Sequence, residues 1–251
     1  MNYLPTIQEL LSTRRGYQTA GHKKFCKKYL EPVFGKPDEH GNYMLTVGDN
    51  PSVCFTAHSD TCHFFDPKIK QEIIVDGDFL RLHPDEDARC LGADDATGIY
   101  IILHMIAEGI NGRYCIFNGE EEGGIGSFEV VKSEPEWVQK TDLMVSFDRA
   151  GYNSVITAQA GGICCNEIVA WAIADAVNES PVAVMDYSPD NTGTFTDSAN
   201  FTAFIPNVTN LSVGYDLQHS SDEFQDNKFL HDLLRTIVLV DWDKLGWISR
   251  D

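Results

Sequence analysis

The sequence predicts an α/β fold, a single domain built on a mainly parallel sheet. Short apolar runs of strand length alternate with helical patterns through most of the chain, the arrangement that parallel sheets impose. The 251 residues, 43% of them hydrophobic, suffice for one core that needs no covalent staples. No internal repeat, low-complexity tract or linker interrupts the pattern.

The elements follow in order. Residues 4–12 and 19–33 read as helices, the second capped by Thr19 and carrying Lys23, Lys24, Lys27 and Lys28 on its outer face. A turn over Asp38 to Asn42 leads into a strand at 43–47, and Val53 to Ala57 forms a short apolar strand. Residues 72–75 and 79–82 pair as a hairpin around Asp76-Gly77. A helix over 96–108 is apolar on most faces and is therefore expected to be buried. Strands follow at 114–118 and 143–147, then a helix at 164–178, strands at 182–186 and 208–213, and a helix near 227–240.

Composition excludes several functions. With 38 acidic against 19 basic residues, a net charge of −19, the chain lacks the positive footprint that nucleic acids and anionic membranes require. The same charge suits cations or amines, or simply a soluble acidic surface. No apolar run approaches the ~20 residues that span a bilayer. The start, Met-Asn-Tyr-Leu-Pro-Thr, has neither the basic nor the apolar segment of a secretory leader. The seven cysteines (26, 54, 62, 90, 115, 164, 165) form no Cys-x-x-Cys pair and sit mostly in apolar runs. They read as small buried hydrophobes in a reducing, cytoplasmic compartment.

Functional groups in open α/β sheets gather where strands end. Here His58-Ser59-Asp60 closes one strand, and Gly92-Ala93-Asp94-Asp95 opens the long helix. Gly119-Glu120-Glu121-Glu122-Gly123 and Asp148 follow two further strands, and Gly214-Tyr215-Asp216-Leu217-Gln218-His219 follows a fourth. Each has an ordinary alternative: a polar strand end, a helix cap at Asp94-Asp95, a solvated run of glutamates, a structural histidine. Their succession does not. Several carboxylates at one site repel unless a cation compensates them, and a mixture of two imidazoles with carboxylates suits zinc, cobalt or manganese better than calcium. In His-x-Asp both side chains leave an extended segment on the same side, so Asp60 can hold the second ring nitrogen of His58. Of two adjacent acids, one can bind metal while the other stays free as a base.

The order of these motifs resembles the co-catalytic zinc metallopeptidase superfamily, which includes compact bacterial aminopeptidases, tripeptidase T and related carboxypeptidases and deacylases. The segments that carry the resemblance are Phe55-Thr56-Ala57-His58-Ser59-Asp60-Thr61, Leu91 to Ile99, Glu120 to Ser127, Phe147-Asp148, Thr196 to Phe201, and His219-Ser220-Ser221-Asp222-Glu223. They span about 40 to 230, and Leu91-Gly92-Ala93-Asp94-Asp95 is especially similar to tripeptidase T. The resemblance implies a three-layer fold, a mixed and mainly parallel sheet flanked by helices. It implies two divalent ions, Zn2+ first and Mn2+ or Co2+ as alternatives. His58 and Asp148 would bind one, Glu121 and His219 the other, and Asp94 both. Asp60 would orient His58, and Glu120 would be general base and then acid. Aligning on Gly126-Ser127 places the family's glutamate pair on Glu120-Glu121 and leaves Glu122 aside. Tyr215, near His219, is a candidate donor to the substrate's oxyanion.

Relatives often carry an inserted domain, between the Asp and final His ligands in one branch, between His-x-Asp and the bridging Asp in another. Here the first interval is taken up by core strands and helices and the second by the hairpin, so no lid or dimerisation domain is expected. The leading expectation is an aminopeptidase acting on peptides. A carboxypeptidase or amide deacylase would need a cation for the substrate carboxylate, and Arg89 and Arg149 are the arginines beside the motifs. A metal-stabilised binding protein would have no use for the spare base Glu120. Side-chain preference and oligomeric state are not readable from the chain.

Overall fold

A computed structural model describes residues 4–250; Met1 to Tyr3, on which part of the leader reading rests, lie outside the described residues. The chain begins with α1 (Ile7–Leu11), closed by a capping box between Thr6 and Glu9. Thr19 caps α2 (Ala20–Phe25), accepting from the His22 amide, as expected. That helix runs through a π-turn, Cys26–Leu30, into α3 (Glu31–Phe34).

The next elements are β1 (Tyr43–Val47), β2 (Val53–His58), the hairpin of β3 (Ile73–Asp76) and β4 (Phe79–Leu82), α4 (Ala93–Ala107) and β5 (Gly112–Phe117). Then come α5 (Ile125–Lys132), α6 (Glu136–Gln139), β6 (Leu143–Arg149), β7 (Ser154–Ile156), β8 (Ala158–Gln159), β9 (Gly162–Ile163) and α7 (Glu167–Asn178). The chain closes with β10 (Ser188–Asp190), a 3-10 turn at Asp197–Phe201, β11 (Asn207–Ser212), β12 (Tyr215–Asp216), β13 (Phe224–Asp226), α8 (Asn227–Ile237) and α9 (Trp242–Ile248).

A central mixed sheet in the order β1-β5-β2-β6-β11-β7-β10 is flanked by helices. Its four middle strands, β5, β2, β6 and β11, are parallel; β1 is antiparallel to β5, and β11 meets β7 antiparallel. All six residues of β2 are buried, and α4 packs on β2 and β6. That explains why β2 and β6 read as apolar runs without alternation. Phe55 sits at the middle of the core, its ring centroid 5.0 Å from Trp242, 5.3 Å from Tyr114 and 6.0 Å from Phe147. A second, antiparallel sheet, β12-β13-β4-β3, joins the expected hairpin to the chain around residue 220.

Two expectations need correction. The alternating run at 182–186 forms no strand. Val184 and Asp186 are exposed, Met185 and Tyr187 buried, but the Tyr187 backbone is held by both ends of the Asn178 amide. The strand of this region is β10, paired parallel to β7. The helix expected from 164 starts at Glu167, because the amides of Cys164 and Cys165 both point to the Thr157 carbonyl and Asn166 supplies the cap. Among the described residues no helix is long and apolar enough to cross a membrane.

Candidate metal centre

Three parallel strands end at one place. His58 is the last residue of β2, and its amide donates to Asp95 Oδ2 at 3.0 Å. Asp148 lies near the end of β6, where its amide donates to Asn210 Oδ1 and its carbonyl accepts from Asn210 Nδ2. Beyond β5, Gly119 turns the chain with φ 80°, a conformation that glycine adopts without strain, and the glutamates follow.

Asp60 organises that glutamate turn. Its carboxylate accepts from the amides of Gly119, Glu120 and Glu121, at 2.9, 3.2 and 3.3 Å. The same carboxylate lies 3.7 Å from His58 Nδ1, facing the ring as expected but beyond hydrogen-bond distance. Burial resists its charge, yet the neighbouring His58 holds its pKa below the usual carboxylate range.

Asp94 and Asp95 have divided roles. Asp95 is fully buried and caps α4, Oδ1 accepting from the Gly98 amide at 2.7 Å. Gly98 is required there: a Cβ would come within 2.6 Å of the Phe147 carbonyl oxygen. Asp94 turns the other way. Its Oδ1 is 2.9 Å from His58 Nε2, and its Oδ2 is 3.1 Å from His219 Nε2. Asp148 Oδ1 is 3.5 Å from the same His58 nitrogen, and Glu121 Oε2 is 3.3 Å from the same His219 nitrogen. Two groups of converging donors result, His58-Asp94-Asp148 and Cys62-Glu121-His219, with the second carboxylate oxygen of Asp94 reaching the second group.

The electrostatics demand positive charge. Burial pulls the His58 pKa down, but Asp148, Asp60 and Asp94 overcome it and hold it well above the ordinary imidazole value. Contacts with Asp94, Cys62 and Glu121 raise that of His219. Burial and the Asp94 charge push Asp148 up to about 6. Burial, with Asp148, Asp197 and Asp94 nearby, raises Glu120 well above its usual value. Glu121 Oε1 is buried without a hydrogen-bond partner. A divalent ion fits this donor set: it supplies the charge that the carboxylates draw from protonated imidazoles, and it gives the orphaned glutamate oxygen a partner.

Glu120 lines the cleft beside Asp94, Asp148 and His219, whereas Glu122 is exposed. Tyr215 lines the same cleft, and its hydroxyl donates to Asp148 Oδ1 at 3.1 Å.

Three residues here were not singled out for the site in the sequence. Glu223 is buried, with its pKa raised by burial and by Asp94 to about 7; its carboxylate accepts from the amides of Gly92 and Asp94 at 2.9 and 3.1 Å and so fixes the start of α4. It closes the His219-to-Glu223 segment, which was the available signal. Arg15 is fully buried and donates to the carbonyls of Ser59 and Gly92, tying two of the site's loops together. Cys62 was read as a small hydrophobe; it is buried, but its Sγ donates to Glu121 Oε2 at 3.0 Å.

The description Peptidase family M28 matches residues 42–204, more than half of the chain, and the chain belongs to that family. No curated protein matches the sequence. Among solved structures, a tripeptidase from Staphylococcus aureus is similar with a TM-score of 0.73 at 16% identity, covering 98% of this chain and 97% of that one. Aminopeptidase PepT from Bacillus cereus is similar with a TM-score of 0.66 at 15% identity, covering 92% and 95%. The Pyrococcus horikoshii TET1 peptidase, which can assemble into a tetrahedron or a large octahedral shell, reaches 0.68 at 14% identity, covering 94% and 99%.

Proposed function

From this membership of peptidase family M28 we propose that the chain is a dinuclear zinc-dependent aminopeptidase. The observation that carries the proposal is Asp94, whose two carboxylate oxygens face two different histidines at 2.9 and 3.1 Å. His58 and Asp148 would hold one ion and Glu121 and His219 the other, with Asp94 shared and Asp60 setting the His58 ring. Two ions held there would supply a lowered pKa for bound water and polarisation of a scissile carbonyl.

The remaining work falls to side chains. Glu120 belongs to neither donor group yet lines the cleft between them. Its place in the cleft beside Asp94, Asp148 and His219 suits a group that takes a proton from the attacking water and returns it to the leaving amine. Tyr215, with its proton directed at Asp148, steadies that carboxylate and would reach an oxyanion only by exchanging partners.

The acidic cleft favours a substrate ammonium, and a net charge of −19 favours it at long range. The names of the similar structures, an aminopeptidase and a tripeptidase among them, point the same way. A C-terminal carboxylate would need a cation. Arg149 lines the cleft, but its guanidinium donates to Thr192 Oγ1 at 3.0 Å. Arg89 lies over the Phe64 ring instead. We read the chain as one catalytic domain without an inserted lid: the interval from Asp60 to Asp94 builds the β3-β4 hairpin, and that from Asp148 to His219 builds β7 to β12. Seven free, buried cysteines support a reducing, cytoplasmic setting.

The test is one short peptide offered to the metal-loaded protein in three forms: free, N-acetylated and C-amidated. Mass spectrometry should find the free and C-amidated forms losing single N-terminal residues and the acetylated form intact. Rapid cleavage of the acetylated form would replace this reading with the carboxypeptidase or deacylase one.

A further inference from the structure

The two donor groups differ in one element. His58, Asp94 and Asp148 offer only nitrogen and oxygen. The other group contains a sulfur. Cys62 lies four residues beyond His58, past the end of β2, and its side chain turns back toward the glutamate loop. Its Sγ is 3.0 Å from Glu121 Oε2, the oxygen that is itself 3.3 Å from His219 Nε2. The ligand atoms of Cys62, Glu121 and His219 all lie within 4.8 Å of one another. Two further observations point to a ligand rather than a chance contact. Glu121 Oε1, the other oxygen of the carboxylate that accepts from the thiol, is buried and unpartnered, and Asp94 Oδ2 lies 3.1 Å from His219 Nε2.

We propose that Cys62 Sγ is a protein ligand of the second ion, so that this half of the centre has a donor set of one sulfur, one nitrogen and two carboxylate oxygens. The inference rests on the metal reading above and adds a ligand to it. On binding, the thiol proton leaves to solvent and the sulfur–metal bond replaces the S–H bond, as for any cysteine ligand. A thiolate makes the second position selective for zinc, cobalt or cadmium over manganese or magnesium, while the all-nitrogen-and-oxygen position keeps the broader tolerance of imidazole and carboxylate. A hydrogen bond from a merely buried thiol to Glu121 would give no such asymmetry.

Cobalt tests this without reference to turnover. The chain loaded with Co2+ should show thiolate-to-cobalt charge-transfer absorption in the near ultraviolet in addition to the visible d–d bands. Cys62→Ser should remove the first and keep the second, and should weaken one of two Cd2+ sites by at least ~10-fold while leaving Mn2+ binding nearly unchanged. Cobalt bound with d–d bands but without a sulfur band in the wild-type chain overturns the Cys62 assignment and leaves the metal centre standing. A sulfur band that persists in Cys62→Ser overturns it as well. Failure to bind cobalt at all overturns both readings. Cadmium-113 resonance on the wild-type chain needs no variant: one of two signals should lie far downfield, and two signals in the nitrogen-and-oxygen range would contradict the proposal.

Discussion

The two halves of the centre are held in different ways. His58 and Asp148 stand at the ends of β2 and β6, neighbouring parallel strands; their side chains are 1% and 6% exposed, and their amides are fixed by Asp95 and Asn210. Glu121 and His219 stand on loops. His219 has a φ of 63°, its side chain is 48% exposed, and it hangs between two very short strands, β12 and β13. One half is thus positioned by the sheet; the other is positioned by turns and by contacts among its own side chains, with Glu121 buried and His219 half exposed. The buried half also sets Asp94, whose other carboxylate oxygen reaches into the second half. A loop-borne site depends on all of its members.

The largest expected effect tests that contrast directly. His58→Ala should abolish binding at both positions, since it removes the buried anchor against which Asp94 is set. His219→Ala should leave a single ion in the buried half. Metal content by mass spectrometry after gel filtration reads both. Equal losses in the two variants would mean that the halves are equivalent and the contrast is false.

A smaller effect concerns what lies beneath the buried half. His22 Nε2 is 2.9 Å from Ser59 Oγ, next to His58, and burial, helped by Arg15, pulls its pKa down to about 4 although Asp60 opposes this. An unfolded imidazole titrates near ~6.5. Between these values the unfolded chain takes up a proton that the folded one refuses. The stability contributed by neutral His22 is therefore complete above ~6.5 and is lost as pH falls toward about 4, a change on the order of 3 kcal/mol. His22→Gln, which preserves a partner for Ser59, should flatten the fall in stability over that window in chemical denaturation experiments. Identical slopes in the two proteins would remove His22 from the support of the buried half.

The same contrast explains what was legible in the sequence. Strands β1, β2, β5 and β6 are largely apolar runs, β11 alternates polar residues with Val208 and Leu211, and each reads within a residue or two of its observed limits. Because sites in such sheets lie beyond strand ends, His58, Asp94, the Glu120-Glu121 turn, Asp148 and His219 could be placed in one list, and the family resemblance divided them between two ions. The residues of the loop-borne half were named by the same means, but the structure around them was not. Strands of two or three residues, such as β12 and β13, are too short to show a period, so the sheet that carries His219 was invisible. Helix α5 begins among glycines that read as a loop, and α9 follows α8 after a break at Val238 that continuous apolar spacing concealed. Asp94 and Asp95 cannot be told apart by composition; the Asp95 bond to Gly98 separates the cap from the bridge. Cys62 was invisible for a related reason. It lies between Thr61 and His63 with no second cysteine at ligand spacing, and its partner Glu121 comes from a different strand end.

The central claim is that Asp94 joins two ions while Glu120 binds neither and moves the proton. The most direct test measures metal content and peptide turnover together in Glu120→Gln. The account predicts the full wild-type complement of both ions, since Glu120 lies in neither donor group, with turnover lower by at least ~10²-fold. Loss of an ion from the variant, or turnover close to that of the wild type, would contradict it.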